Sequence, residues 1–170
     1  MATTNAARGP AAAQPSHELD APPWLRVEST LMATANAIRD AYDGRLAPLG
    51  LTLSTASLLA YICDFGPVSQ TRAAEHLGQG RAVTGTQVDK LEALGLVERR
   101  PDPADLRVWL VAITDDGAQL TQSIADVDQV FRAELRSGIS RADRQTLAGL
   151  LIRLQQNIQQ SQHTPKESHS

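Results

Sequence analysis

Cys63 is the single cysteine of this 170-residue sequence, so no disulfide framework can hold the chain together, and a reducing, cytoplasmic setting suits it. Aromatic residues make up only 4% of the chain against 42% hydrophobic residues in all. Leu, Ala, Val and Ile must therefore fill the core, which points to helices. Positive charge is not in excess either: the formal net charge is -3, so any contact with nucleic acid must come from cations placed locally. No stretch approaches the ~20 apolar residues a membrane span needs. The first twenty residues lack the Leu-rich segment of a secretory signal, which predicts a flexible arm over 1–21 of a soluble protein. The polar end SQHTPKESHS predicts a disordered tail over 161–170. His17, His76, His163 and His169 are scattered, with no metal-ligand spacing. Gly78-Gln79-Gly80 continues as Arg-Ala-Val, which completes no phosphate loop. Neither metal, cofactor nor catalysis is expected.

What is present is helical periodicity punctuated by Gly and Pro. The length suits one domain with short tails. Pro22 and Pro23 can open a long first helix, in which Trp24, Leu25, Val27, Leu31, Ala35, Ile38 and Tyr42 recur at helical spacing, ending near Ala47 before Pro48. Thr52 or Ser54 can cap a second helix through Phe65, stopped by Gly66-Pro67. Ser69 can cap a short third helix with Ala73, Ala74 and Leu77 on its apolar face. Gly78-Gln79-Gly80 makes the turn, and a fourth helix runs from Arg81 to Leu94 before Gly95. Helix, tight turn, helix is the outline of a helix-turn-helix. The period then changes to strand, turn, strand over Leu96–Arg100 and Leu106–Ile113. Thr114 or Asp115 can cap a fifth helix to about Ser137, and Ser140 with Asp143 opens a sixth to about Gln160.

On a wheel, the fourth helix gathers Thr84, Val88 and Leu91 on a packing side and leaves Ala82, Thr86, Asp89, Lys90 and Ala93 outward. A recognition helix enters the major groove by its N-terminus, so Arg81, Ala82, Val83, Thr86 and Gln87 come closest to base edges and Lys90 lies nearer a phosphate. A two-helix unit followed at once by a basic hairpin has the winged helix as its leading use. From Arg72 to Arg107, six cations face six anions, so the lobe is locally neutral and salt-sensitive binding is expected.

The run VDKLEALGLVERRPDPADLRVWLVAIT from Val88 to Thr114 resembles the MarR-family signature. Leu91, Glu92, Gly95 and Leu96 match the helix end and first strand, Asp105 and Arg107 the wing, and Thr114 the close of the second strand. The resemblance implies a mainly α fold with a small β-hairpin wing. Its winged helix-turn-helix lobe spans 53–113 of a domain over 22–160, between N- and C-terminal dimerisation helices at 22–48 and 114–160. It further implies a homodimeric transcriptional repressor on a pseudo-palindromic operator in double-stranded DNA. Ser69, Arg72, Arg81, Ala82, Val83, Thr86, Gln87, Lys90, Asp105 and Arg107 are then the DNA-binding residues, with Asp105 holding Arg107 for a narrow minor groove. The family also implies an effector crevice, to which Trp24, Arg39, Tyr42, Arg45 and Tyr61 are assigned. Their cations and aromatics suit an aromatic acid or its coenzyme A thioester.

Two positions depart from the family: Leu106 stands where a second arginine is frequent, and Gly85 interrupts the recognition helix at up to ~1 kcal/mol relative to alanine. Cys63, beside Leu59 and Ala60, is expected to be buried and structural. Trp109 is expected in the core at the root of the wing. The alternative to a DNA-binding regulator is a winged-helix protein-interaction module without specific DNA binding.

Overall fold

The computed structural model describes residue 22 and residues 26–163. The arm expected over 1–21, Trp24 and the end of the tail lie outside the described residues. Six helices and three strands follow in order: α1 (Val27–Leu46), α2 (Leu53–Phe65), β1 (Val68–Ser69), α3 (Gln70–His76), α4 (Arg81–Ala93), β2 (Val97–Pro101), β3 (Trp109–Ile113), α5 (Asp115–Leu135) and α6 (Arg141–His163). A 3-10 turn over Ala47–Leu49, with Pro48 in it, leads from α1 to Gly50, whose φ of 74° lets the chain turn toward α2.

Local chemistry explains most of the boundaries. Thr52 caps α2 through a reciprocal pair with Thr55: the Thr55 amide donates to the Thr52 hydroxyl and the Thr52 amide to the Thr55 hydroxyl. Asp43 of α1 accepts from the Leu53 amide at 2.6 Å, which ties the two helices together at their junction. Ser69 accepts from the Arg72 amide and starts α3. The Ser140 hydroxyl accepts from the Asp143 amide at 3.1 Å and starts α6. Each of these caps is of the kind that stabilises a helix start by about 1 kcal/mol.

The contacts divide the chain into two units, one through Ala118 and one from Gln119. The first holds a core built from Leu46, Leu51, Leu58, Leu59, Ile62, Val68, Ala73, Ala74, Val88, Leu91, Val97 and Val111, all buried. Each large aliphatic side chain there contributes about 1.5 to 3 kcal/mol by leaving water. The sheet has the order β1-β3-β2, antiparallel throughout. The hairpin was legible in the sequence, whereas β1, two residues long and fused to the start of α3, was not. It pairs Val68 with Val111 and Ser69 with Leu110, closing the root of the wing.

In the second unit, α6 runs Arg141–His163 and exposes Leu147, Leu150, Ile152, Leu154 and Ile158. No single helix among the described residues is long and apolar enough to cross a membrane.

Two expectations are corrected. Cys63 is exposed rather than buried. The buried arc of α2 runs through Thr55, Leu58, Leu59 and Ile62, and the last turn, with Asp64 and Phe65, emerges from the core and carries Cys63 with it. Trp109 is 57% exposed rather than in the core. It alternates onto the same side as buried Val111, but β1 covers only Leu110 and Val111, so Trp109 extends past the sheltered part of the strand.

Candidate nucleic-acid interface

α3 and α4 form the helix-turn-helix, joined through Gly78, whose φ is 61°. Thr84, Val88 and Leu91 are wholly buried, as the wheel requires, and the opposite face is open: Arg81, Ala82, Val83, Thr86, Asp89 and Lys90 are exposed. Gln87 departs from its expected place at the base edges. It is only half-exposed, and its amide oxygen is enclosed, because it follows Thr84 by three residues and precedes Leu91 by four on the packing side.

Gly85 has a structural use that the sequence did not disclose. The Gln70 amide of α3 crosses α4 there, donating to the Arg81 carbonyl at 3.3 Å, and a Cβ at Gly85 would lie 2.8 Å from that nitrogen. The glycine lowers helix propensity and leaves room for this contact, which a Cβ would displace only at the flexible end of the Gln70 side chain.

Asp89 lies on the outward face, where its charge would oppose a phosphate. Arg99, on β2, donates to Asp89 at 2.5 Å and also pairs with Glu92 one turn further along α4, while the Arg99 amide donates to Glu92 at 3.2 Å. Burial alone would lower the Arg99 pKa, but the two carboxylates outweigh it and raise it. Asp89, Glu92 and Arg99 therefore join wing and recognition helix as a cluster of net charge -1, in which one cation is shared by two carboxylates. Arg72, Arg81, Lys90, Arg100 and Arg107 then stand against Glu75, Glu98, Asp102 and Asp105.

The wing tip is a sequence of tight turns. Asp102 accepts from the Ala104 amide, and Asp105 accepts from both the Arg107 amide and the Arg107 Nε, each at 3.1 Å. The Arg107 side chain is 92% exposed, held at its guanidinium by Asp105. The hydrogen bonds from Arg107 lower the Asp105 pKa below the ordinary carboxylate value.

The sequence model of the MarR family matches residues 49–107, from the turn before α2 to this wing arginine. Over that stretch the chain is similar to the MarR family. It is 28% identical over 109 residues to the uncharacterized HTH-type transcriptional regulator YdgJ of Bacillus subtilis, an alignment covering 64% of this chain and 66% of that relative, just under two thirds of its length. The transcriptional regulator BldR of Sulfolobus solfataricus is similar in structure, with 27% identity and a TM-score of 0.67 over 76% of this chain and 93% of BldR. BpsR of Bordetella bronchiseptica, whose DNA binding is regulated by 6-hydroxynicotinic acid, shares the fold at 21% identity with a TM-score of 0.73, over 79% of this chain and 96% of BpsR.

The structure leaves Arg81, Ala82, Val83, Thr86 and Lys90 exposed along α4 and pairs Asp105 with Arg107 on the wing. Ser69 and Arg72 stand at the start of α3, where the Ser69 hydroxyl caps the helix. The residues assigned to an effector do different things. Arg39 donates to Asn36 and Arg45 to the Ala41 carbonyl, both within α1, while Tyr42 is half-buried. Tyr61 is buried, stacked on His76 with ring centroids 4.2 Å apart and tilted against Phe65 at 4.8 Å. Its ring serves the packing of α2 on α3. Gln70, Asp89, Glu92 and Arg99 were missed as site residues, although an acid-x-x-acid pair on the helix with an arginine in the next strand was the available signal.

Proposed function

We propose that this protein is a sequence-specific DNA-binding repressor that acts as a homodimer on a pseudo-palindromic operator and responds to a small molecule. The observation that carries the reading is the wing. Arg107 is almost wholly exposed, yet held by Asp105 on a turn whose amides are bonded. A preorganised guanidinium at the end of a hairpin suits the enhanced negative potential of a narrow A·T-rich minor groove. The neighbouring α4 presents an open face whose acidic group, Asp89, is paired with Arg99, a cation it shares with Glu92. Two such lobes across a twofold axis read half-sites about one helical turn apart. The exposed apolar positions of α6 favour a second copy as their cover.

The effector reading rests on α1, where Arg39, Tyr42 and Arg45 offer cations and an aromatic ring to an aromatic acid or its thioester. The regulation of BpsR by 6-hydroxynicotinic acid is a precedent of that ligand class. Such a ligand acts by preferring the arrangement of the dimer that cannot engage DNA.

The test is fluorescence anisotropy of the full chain against the DNA upstream of its own gene, at ~150 mM salt with random competitor. Nanomolar specific binding that Arg107→Ala abolishes supports the reading. Binding that random DNA competes away equally would leave a protein-docking winged helix as the better description. A panel of aromatic acids that shifts neither melting temperature nor DNA affinity would remove the effector part alone.

A further inference from the structure

Between the charged Arg81 and Lys90, the face that α4 offers to a duplex has few neutral hydrogen-bonding groups. Ala82 is exposed and Val83 is 53% exposed. Thr86 is exposed, but its hydroxyl donates to the Ala82 carbonyl at 3.2 Å, so its proton is engaged within the helix and it offers a partner its γ-methyl and an acceptor oxygen but no donor. Gln87, the amide that would read a purine, has its oxygen enclosed. At 100° per residue, Thr86 falls between Ala82 and Val83 on an arc of about 100°, and the three span about 6 Å along the axis, roughly two base-pair steps. Arg81 stands beyond the Ala82 margin of this patch.

The major groove presents one apolar group, the C5-methyl of thymine, and small aliphatic side chains are its matching contacts. Deepening the DNA-binding reading above, we propose that Ala82, Val83 and Thr86 form an apolar reader of thymine methyl groups. Operator specificity under the first two turns of α4 then comes from methyl contact and not from bidentate hydrogen bonds to purines. The wing extends the same preference, because Arg107 favours the narrow minor groove of A·T-rich flanks.

The experiment begins with duplexes that the full-length protein selects from a random pool. The best duplex is rebuilt with deoxyuridine in place of each half-site thymine in turn, which removes the methyl and keeps the pairing. Affinity is expected to fall about fourfold for each methyl lost under α4, the value of burying one such group. Cytosine at those positions should weaken binding and 5-methylcytosine should regain part of it. Thr86→Ser should lose the thymine-over-uracil preference at one position, while Thr86→Val, which retains a methyl, should keep it. Equal affinity of the intact protein for thymine and uracil duplexes overturns the proposal and leaves the DNA-binding reading standing. A pool that yields no preferred sequence overturns both.

Discussion

A Cβ on Gly117 would lie 2.1 Å from the Leu96 carbonyl oxygen and 2.9 Å from the Ile113 side chain. That carbonyl already accepts from the Thr114 amide at 3.1 Å, and the Thr114 hydroxyl donates to the Gly95 carbonyl while accepting from the Gly117 amide. Backbone cannot give way here, so Gly117→Ala should destabilise by about 3 kcal/mol, the upper end for overpacking, seen as a lower urea midpoint. Gly44 has nothing within 4 Å of its would-be Cβ, and Gly44→Ala in α1 should stabilise by up to ~1 kcal/mol in the same titration. Asp105 carries a pH prediction. Its folded-state pKa is depressed by Arg107, so the hold on the guanidinium is present above the ordinary carboxylate range and is lost only as pH falls through the lowered value. Wild-type wing geometry, followed through the Arg107 Nε resonance, should therefore be constant from neutral to mildly acidic pH. Asp105→Asn should show no such acid-dependent loss, and should bind the operator severalfold more weakly at all pH values.

Among the elements, the recognition helix and the wing are joined by Arg99, and the union has a signature that separates positioning from phosphate contact. Arg99→Ala leaves Asp89 and Glu92 unbalanced, costing about 1 kcal/mol of stability and lowering operator affinity through the restored charge of Asp89. The slope of affinity against salt should stay unchanged, since no phosphate contact is removed, and adding Asp89→Asn should recover most of the affinity. A decreased slope without recovery would make Arg99 a phosphate ligand instead. Periodicity revealed α1 to α6 because each carries apolar residues at helical spacing between Gly, Pro or hydroxyl-bearing residues, all of which are local features. β1 was invisible because two residues have no period, and its pairing with β3 is set across more than forty positions of sequence. Trp109 and Cys63 were misplaced for a related reason. Each follows its element's apolar pattern, but the covering partner stops short of it.

For the whole molecule, the exposed Leu147, Leu154 and Ile158 follow helical spacing along α6, a pattern that a lone chain would leave in water. If a second copy covers it, Leu147→Glu with Leu154→Glu should yield monomers by analytical ultracentrifugation and weaken operator binding about a hundredfold, through lost avidity rather than altered lobes. A dimer that survives both charges would place the interface elsewhere. The sequence by itself determined the order of helices, their caps, the helix-turn-helix and the Asp105–Arg107 wing. Those depend on neighbours within a few residues, and the Val88 to Thr114 motif is contiguous. Only the tertiary structure decided which charges remain available to a polyanion, why a glycine interrupts the recognition helix, and that Cys63 and Trp109 face outward. Each of those depends on what a distant segment places against the residue, Gln70 against Gly85 and Arg99 against Asp89, and burial is a property of the neighbour as much as of the residue.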